Sequence, residues 1–353
     1  MMARLGLAAV LFWLHLAGAF AQQPRFNPDT DPSRIRWSRI VDELGPAPDV
    51  RGERFGVILK TPANEYWRLM AAGYRQRALV DGVKLDIQAA RDETDQTRQL
   101  ALMQSMIGNR YRALMISPIS TFNLQPAIDE AIAAGVPVVD VDGAVVDSVR
   151  HFVGPINRDL GVAVARWFIA HYPRGGKVAV IEGQPGVFST IHRSAGFRDT
   201  LGQVKTFSVV ASVSGQWDRR LALDAAGAII AGTPDLIGIY CNNDTMALGV
   251  VEAVKAAGAL ERIRVFGTDG TAMAYASIAA GELTGTVDIF PTMIGEIGLD
   301  VAKRLSVGGT VPRVVETPHI LVTRENIARY AGQEAERRRF LMEDEDRLLR
   351  SKP

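Results

Sequence analysis

Short apolar runs alternate with stretches of helical length from Phe55 to about residue 290, and this alternation constrains the fold more than any other feature. The apolar runs are bounded by turn residues, at positions 55–60, 84–90, 113–118, 137–142, 177–182, 207–212, 236–242, 264–269 and 283–289. The stretches between them have helical spacing, as at 67–80, 94–108, 124–134, 160–171, 219–231 and 245–257. Strands that are largely apolar and separated by helices belong to parallel sheets covered on both faces. The sequence therefore predicts an α/β fold.

The number of these units indicates two lobes. Roughly ten strand–helix units exceed the usual size of one sheet, so we expect two doubly wound parallel-sheet lobes of about five strands each. The first break between them is expected at 151–157, where HFVGPIN follows the loop DGAVVD.

Both chain ends differ from this pattern. Arg4, an apolar core at 5–16 and the exit Ala19-Phe20-Ala21 predict a signal peptide at residues 1–21 and export to the periplasm. A membrane anchor is the alternative, although the apolar stretch is short for a span. Residues 22–54 are rich in Pro, Asp and Arg, with one weak helical patch near 35–44, and we interpret them as an arm. Residues 333–353 form a charged tail, either a solvated helix or a docking segment.

Composition and motifs exclude several classes of protein. A formal net charge of +1 over 353 residues does not support a nucleic-acid-binding face. The single cysteine, Cys241, cannot form an internal disulfide. The sequence has no H-E-x-x-H, G-x-S-x-G or phosphate-loop motif, and DVDG at 140–143 lacks the remaining spacing of a calcium loop. No catalytic residue, cofactor or metal is expected.

Polar and aromatic side chains follow the predicted strands, where open α/β sheets bind ligands. The main candidates are Asn64, Tyr66, Trp67, Asp142, Arg193, Trp217, Asn243, Asp269 and Asp288. Carboxylates, amides and an arginine pair with hydroxyls, while flat rings cover the C–H faces of a sugar. A helix cap at Asp218 or Asp244 and core packing of Trp217 are the structural alternatives. Together these side chains predict a site for a polyhydroxy ligand.

Four motifs resemble the periplasmic sugar-binding proteins of the ribose-binding type, which serve ABC importers. NDTMALGVVEAVKAAG followed by IRVFGTDGT is close to that family's signature, and GVPVVDVDG and HRSAGFRDTL are placed as in the family. The resemblance runs from about Phe55 to about Val322. It implies a type I periplasmic binding protein fold with three crossovers, near Asn157, Ile289 and Thr317. Lobe 1 would then comprise 55–157 plus 290–317, and lobe 2 would comprise 158–289 plus 318–332.

The resemblance also implies the roles of the candidate residues. Asn64, Tyr66 and Trp67 match the sugar contacts of the first lobe, and Asp142 matches a sugar-binding aspartate. The second-lobe contacts match Arg193, Trp217, Asn243 and Asp269.

The chain departs from the ribose receptors at three places. Gly143 replaces an arginine, Thr268 replaces an aromatic residue, and Ile289, beside Asp288, replaces a glutamine. These changes predict a different or larger sugar, or a polyol.

Hinge closure around the ligand is the expected mechanism, in a monomer that delivers the ligand to a membrane permease. A sensing subunit that signals to a membrane receptor or kinase is an alternative with the same ligand chemistry. The same side chains would also suit a glycoside-cleaving enzyme that uses carboxylates of both lobes, or a receptor for a cationic amine. A sugar-responsive repressor is excluded because an export signal occupies the place of its DNA-binding domain.

Overall fold

A computed structural model describes residues 26–350, so the predicted signal peptide and residues 351–353 lie outside the described part. The strands are β1 Arg34–Arg36, β2 Arg54–Leu59, β3 Lys84–Ala89, β4 Leu114–Ile116, β5 Val138–Val141, β6 His151–Gly154, β7 Gly176–Glu182, β8 Phe207–Ser214, β9 Leu236–Cys241, β10 Arg264–Asp269, β11 Gly285–Asp288, β12 Val314–Glu316 and β13 Ile320–Thr323. The helices are α1 Ile40–Leu44, α2 Glu65–Asp81, α3 Gln96–Ile107, α4 Gln125–Ala133, α5 Asn157–His171, α6 Phe188–Gly202, α7 Arg219–Gly232, α8 Asp244–Ala256, α9 Ala272–Ala279, α10 Pro291–Ser306, α11 Ile327–Tyr330 and α12 Glu334–Arg350.

Two sheets organise the molecule. The first has the strand order β1-β12-β6-β5-β4-β2-β3 and is parallel throughout. The second has the order β13-β11-β10-β9-β7-β8 and is parallel except for β13, which runs antiparallel to β11. Their central strands are buried along their length, as the apolar runs predicted. This arrangement confirms the predicted α/β fold with two parallel sheets, and we call the parts built on the first and second sheet lobe 1 and lobe 2.

The chain passes three times between the lobes. It leaves the first sheet after β6, returns after β11 with α10 packed against α2, and crosses again between β12 and β13. Carboxyl ends of strands from both sheets therefore lie next to a hinge of three segments. No helix within residues 26–350 is long and apolar enough to cross a membrane.

The segment before Phe55 is part of the fold and packs against both lobes. Strand β1 pairs with β12 at the edge of the first sheet. Phe26 packs with Phe152 of lobe 1, in a cluster that Phe188 of lobe 2 also contacts. The carboxylate of Asp29 accepts the N–H groups of Asn157 at 2.9 Å and Arg158 at 2.8 Å, which caps helix α5 just after the first crossing.

The charged tail forms helix α12 and also contacts both lobes. Arg337 donates to Asp288 of lobe 2 at 2.6 Å, and Arg338 pairs with Glu296 of lobe 1. Leu341 is buried, and Glu345 pairs with Arg36 of the amino-terminal segment at 3.4 Å. The tail is therefore docked on its own chain next to the hinge.

Candidate ligand-binding site

One cavity lies between the lobes at the carboxyl ends of their strands, with about 310 Å³ of empty space. Eight of the nine predicted site residues line it: Asn64, Tyr66, Trp67, Asp142, Arg193, Trp217, Asn243 and Asp269. Four further residues line it: Lys60, Glu93, Gly143 and Ser189.

The aromatic pair of lobe 1 lies in the first turn of helix α2. The helix begins at Glu65, earlier than the sequence indicated, because the side chain of Asn64 caps it by accepting the N–H of Tyr66 at 3.0 Å. Tyr66 and Trp67 form an edge-to-face pair with ring centroids 4.7 Å apart. Both rings are buried, so the helix start presents two fixed apolar surfaces to the cavity.

Tyr66 and Asp142 form a buried hydrogen bond at the wall of lobe 1. The phenol donates to Oδ2 of Asp142. Burial, followed by the neighbouring Asp142, raises the pKa of Tyr66 well above its usual range, so the phenol keeps its proton and stays a donor. Oδ1 of Asp142 is buried and has no hydrogen-bond partner among the described residues. This oxygen can accept from a ligand hydroxyl.

Glu93 organises the rest of this wall, and sequence analysis missed it. Its Oε1 accepts from Nδ2 of Asn64 and from Nε1 of Trp67, both at 3.0 Å. Nζ of Lys60 lies 3.9 Å from Oε2 of Glu93 and 5.3 Å from the centre of the Trp67 ring. Burial lowers the pKa of Lys60, against the opposite effect of Glu93. Sequence analysis also missed Lys60, although its position as a charged residue at the end of the first apolar run could have indicated it.

Arg193 is the centre of the wall of lobe 2. Its Nε donates to Oδ1 of Asn157 at 2.9 Å, and its Nη1 donates to the carbonyl of Asn242 at 2.8 Å. The same Nη1 lies 3.8 Å from Oδ1 of Asp269, and both side chains are buried. Burial raises the pKa of Asp269 well above its usual range, and the Arg193 cation opposes this shift. The guanidinium is therefore fixed in place by the protein itself.

Asn243 and Trp217 complete this wall. Oδ1 of Asn243 accepts the N–H of Met246 at 2.9 Å, so this residue caps helix α8. The Trp217 ring packs on Gly183, where an added Cβ would lie 2.1 Å from the ring. Nε1 of Trp217 is buried and has no hydrogen-bond partner among the described residues, which leaves a donor for a ligand oxygen.

The two aspartates considered as helix caps, Asp218 and Asp244, differ in their roles. Asp218 caps helix α7 by accepting the N–H of Leu221 at 2.8 Å. Asp244 is not a cap: its Oδ2 accepts the N–H groups of Gly270 and Thr271 at 2.9 Å, which holds the turn after Asp269. Asp244 therefore supports the site without lining the cavity.

Three residues at the cavity have an uncommon backbone conformation. Asp142 has φ of 52°, Trp217 of 64° and Asp269 of 137°, in the region that favours glycine. Such strain is concentrated at functional sites, where the surrounding structure maintains it. The backbone geometry therefore marks three of the residues that the sequence also indicated as part of the site.

Asp288 does not line the cavity, which corrects its place among the site residues. It is fully buried, and its carboxylate accepts from Tyr275 at 2.8 Å, Arg337 at 2.6 Å and the N–H of Phe290 at 2.7 Å. Burial raises its pKa to about 6, against the effect of Arg337. The sequence placed Asp288 correctly at the end of a strand, which is β11. Its side chain, however, binds Arg337 of helix α12.

The cavity offers hydrogen-bonding groups and aromatic rings. The described residues contain no group of His, Cys, Asp or Glu side chains that could hold a metal ion. Carboxylates and carboxamides accept hydroxyl protons, Lys60 and Arg193 donate, and three aromatic rings supply apolar surface.

Comparison with known proteins agrees with this geometry. Residues 55–310 match the family described as a periplasmic binding protein domain. The chain belongs to the periplasmic binding protein family. The D-allose-binding periplasmic protein of Escherichia coli is 33% identical over 75% of this chain and 88% of its own length. The D-ribose/D-allose-binding protein of Pseudomonas aeruginosa is 31% identical over 76% of this chain and 88% of its own length.

Solved structures of periplasmic binding proteins share the fold. A solute-binding protein of an ABC transporter from Actinobacillus succinogenes, with bound D-allose, has a TM-score of 0.75 and 27% identity. The match covers 79% of this chain and 100% of that protein. The predicted resemblance to sugar-binding proteins of ABC importers is thus confirmed, and this chain is longer than that neighbour.

Proposed function

We propose that this protein captures a monosaccharide or polyol between its two lobes and delivers it to the membrane permease of an ABC importer. The observation that carries the proposal is the convergence of polar and aromatic side chains from both lobes on one small cavity. Oδ1 of Asp142 and Nε1 of Trp217 are a buried acceptor and a buried donor, one from each lobe. A hydroxyl group satisfies either one, since it both donates and accepts.

Each site residue has a role in this proposal. Asp142 and Asp269 accept from ligand hydroxyls, Asn64 and Asn243 accept and donate, and Arg193 donates to ring or hydroxyl oxygens. The rings of Tyr66, Trp67 and Trp217 cover the C–H faces of the ligand. Lys60 adds a donor where Gly143 leaves space, because a Cβ at position 143 would lie 3.2 Å from Cε of Lys60.

An aldose of the allose or ribose type is the proposed substrate class. The Escherichia coli and Pseudomonas aeruginosa relatives carry D-allose or D-ribose in their names, and the cavity lining pairs hydrogen-bonding groups with aromatic rings. D-allose is therefore the first probe.

Thermal unfolding in the presence of candidate ligands tests this proposal. The panel contains D-allose, D-ribose, D-tagatose, myo-inositol, glycerol and cationic amines, added to protein that has been partially unfolded and dialysed to remove any co-purified ligand. A ligand at 100 times its dissociation constant stabilises the folded state by about 2.7 kcal/mol, which raises the midpoint measurably. Stabilisation by amines alone would contradict a sugar site, and no stabilisation by any member would contradict the proposed ligand class.

Binding without turnover is part of the proposal, in a protein that acts as a monomer in the periplasm. Proton NMR of the best ligand after prolonged incubation with the protein should show the sugar unchanged. A new sugar product would revive a glycoside-cleaving or isomerising role. The liganded protein should sediment as a single species with the mass of one chain. That mass is 38.3 kDa for the full sequence and lower once the signal peptide is removed.

A sensing subunit is the second candidate, and the docked chain ends favour it. The arm and tail lie outside the range matched to the family, so they offer surface beyond the part shared with importer receptors. Co-purification from detergent-solubilised membranes, with and without D-allose, distinguishes the two roles. Ligand-dependent recovery of the permease supports import, and ligand-dependent recovery of a membrane receptor or kinase supports sensing.

A further inference from the structure

Side chains outside the cavity also join the lobes. Glu65, in the first turn of α2 in lobe 1, accepts the N–H groups of Ala272 at 3.1 Å and Met273 at 3.4 Å in lobe 2. Nε2 of Gln184 in lobe 2 donates to the carbonyl oxygen of Glu93 in lobe 1 at 3.0 Å. The side chains that make these contacts, Glu65 and Gln184, do not line the cavity.

The Glu65 contact completes the cap of helix α9. The first N–H groups of a helix have no partner within the helix. In α9, the side chain of Thr271 accepts the N–H of Ala274 at 3.2 Å, and the next N–H, of Tyr275, bonds to the carbonyl of Thr271. The N–H groups of Ala272 and Met273 remain, and the carboxylate of the opposite lobe accepts both. A negative charge at this helix end is also favoured by the helix dipole.

Opening of the hinge must break this contact, because its two halves lie in different lobes. When the lobes separate, Glu65 and the end of α9 each return to water. The contact therefore exists only in the closed state, and it does not require a ligand. A group that stabilises only the closed state shifts the population towards it.

We propose that Glu65 is a ligand-independent latch: it favours closure of the lobes and thereby raises ligand affinity without touching the ligand. This inference rests on the proposed function, since it assumes capture by hinge closure. Gln184 acts in the same direction through the main chain of Glu93, which is the residue that organises the wall of lobe 1.

The size of the effect follows from the exposure of the contact. A carboxylate at a partly exposed helix end has a modest effect, so Glu65→Ala is expected to raise the Kd for D-allose by about two- to five-fold. In the liganded protein the latch must break before the lobes can open. The dissociation rate should therefore rise by about the same factor.

Calorimetry and stopped-flow fluorescence with D-allose measure these quantities in Glu65→Ala and Glu65→Gln. The glutamine variant keeps an acceptor oxygen but loses the charge, and its effect should fall between those of wild type and alanine. Glu130→Gln is the matched control, because Glu130 is an exposed glutamate of lobe 1 on the distant helix α4. Wild-type Kd and dissociation rate in Glu65→Ala would overturn the latch.

A second measurement needs no ligand and separates this inference from the proposed function. Cys241 is fully buried, so a dye pair can be attached at Lys84→Cys in lobe 1 and Lys205→Cys in lobe 2, both of which are exposed positions. In unliganded protein, Glu65→Ala should shift the energy-transfer distribution towards longer distances. If no sugar binds, the proposed function fails while this shift still supports the latch. An unchanged distribution would overturn the latch even if D-allose binds.

Discussion

Arg193 in lobe 2 and Glu93 in lobe 1 hold the two walls of the cavity in different ways. Arg193 is bound to a main-chain carbonyl and to the buried side chain of Asn157, and its own side chain is 4% exposed. Glu93 is 14% exposed and is bound to Asn64 and Trp67, which are themselves proposed ligand contacts.

The difference indicates a rigid wall and an adaptable one. In lobe 2, Arg193 is held by a main-chain carbonyl and a buried side chain that do not contact the ligand. The geometry of this wall is therefore preorganised, which favours affinity. In lobe 1, the carboxylate of Glu93 holds both Asn64 and Trp67, which are proposed to contact the ligand. A change at Glu93 therefore moves both side chains together. We therefore expect substitutions in lobe 2 to affect folding and binding, and those in lobe 1 to affect mainly ligand choice.

The largest effect is expected for Arg193→Ala. Removal of the guanidinium leaves Asp269 buried without its cation, and breaking a buried pair in this way costs about 3–5 kcal/mol. Urea unfolding should show this loss, and D-allose binding should fall below detection. Arg198→Ala on the same helix is the control, because Arg198 is 40% exposed in its pair with Glu182, and such pairs contribute about 0–1 kcal/mol. Equal losses in the two variants would contradict a rigid wall centred on Arg193.

A smaller effect, on stability as well as on binding, is expected for Glu93→Ala. Asn64 and Trp67 lose their shared acceptor, and unpaired buried donors cost about 1–3 kcal/mol. Calorimetry should show weaker D-allose binding together with a changed preference across the sugar panel. Glu93→Gln keeps one acceptor oxygen and should retain most of the affinity. The adaptable wall would be wrong if Glu93→Ala destabilised the fold as much as Arg193→Ala and left sugar preference unchanged.

The smallest effect on affinity is expected for Arg337→Ala, which tests the correction at Asp288. The free energy of unfolding should fall by about 1–3 kcal/mol, because a buried carboxylate loses a charged donor. Affinity for D-allose should stay within about two-fold of wild type, since neither Arg337 nor Asp288 lines the cavity. A large loss of affinity in this variant would return Asp288 to the ligand site.

The sequence predicted the sheets and most of the cavity because both depend on local patterns. Apolar runs of strand length mark parallel sheets, and the ends of those strands meet at one edge, so Asn64 and Asp269 could be placed near each other without coordinates. Glu93 follows the second predicted strand, a partly exposed edge strand whose end was not included among the candidates. Asp288 was misplaced because strand position does not reveal a partner 49 residues further along the chain.

The amino-terminal strand was also beyond sequence reasoning. Strand β1 is three residues long, too short to show a period, and it forms only because the exposed edge of β12 is available to it.

The docked chain ends have a consequence for any shortened version of this protein. Residues 55–332 contain every residue proposed to contact the ligand and both sheets apart from strand β1 and Arg54 of β2, so they look sufficient by homology. A protein trimmed to that range would lack Asp29, which caps helix α5, and Arg337, which pairs with the buried Asp288. Both partners would be lost next to crossings between the lobes, one at the start of α5 and the other at the end of β11. The unit that folds here is longer than the unit that the family shares.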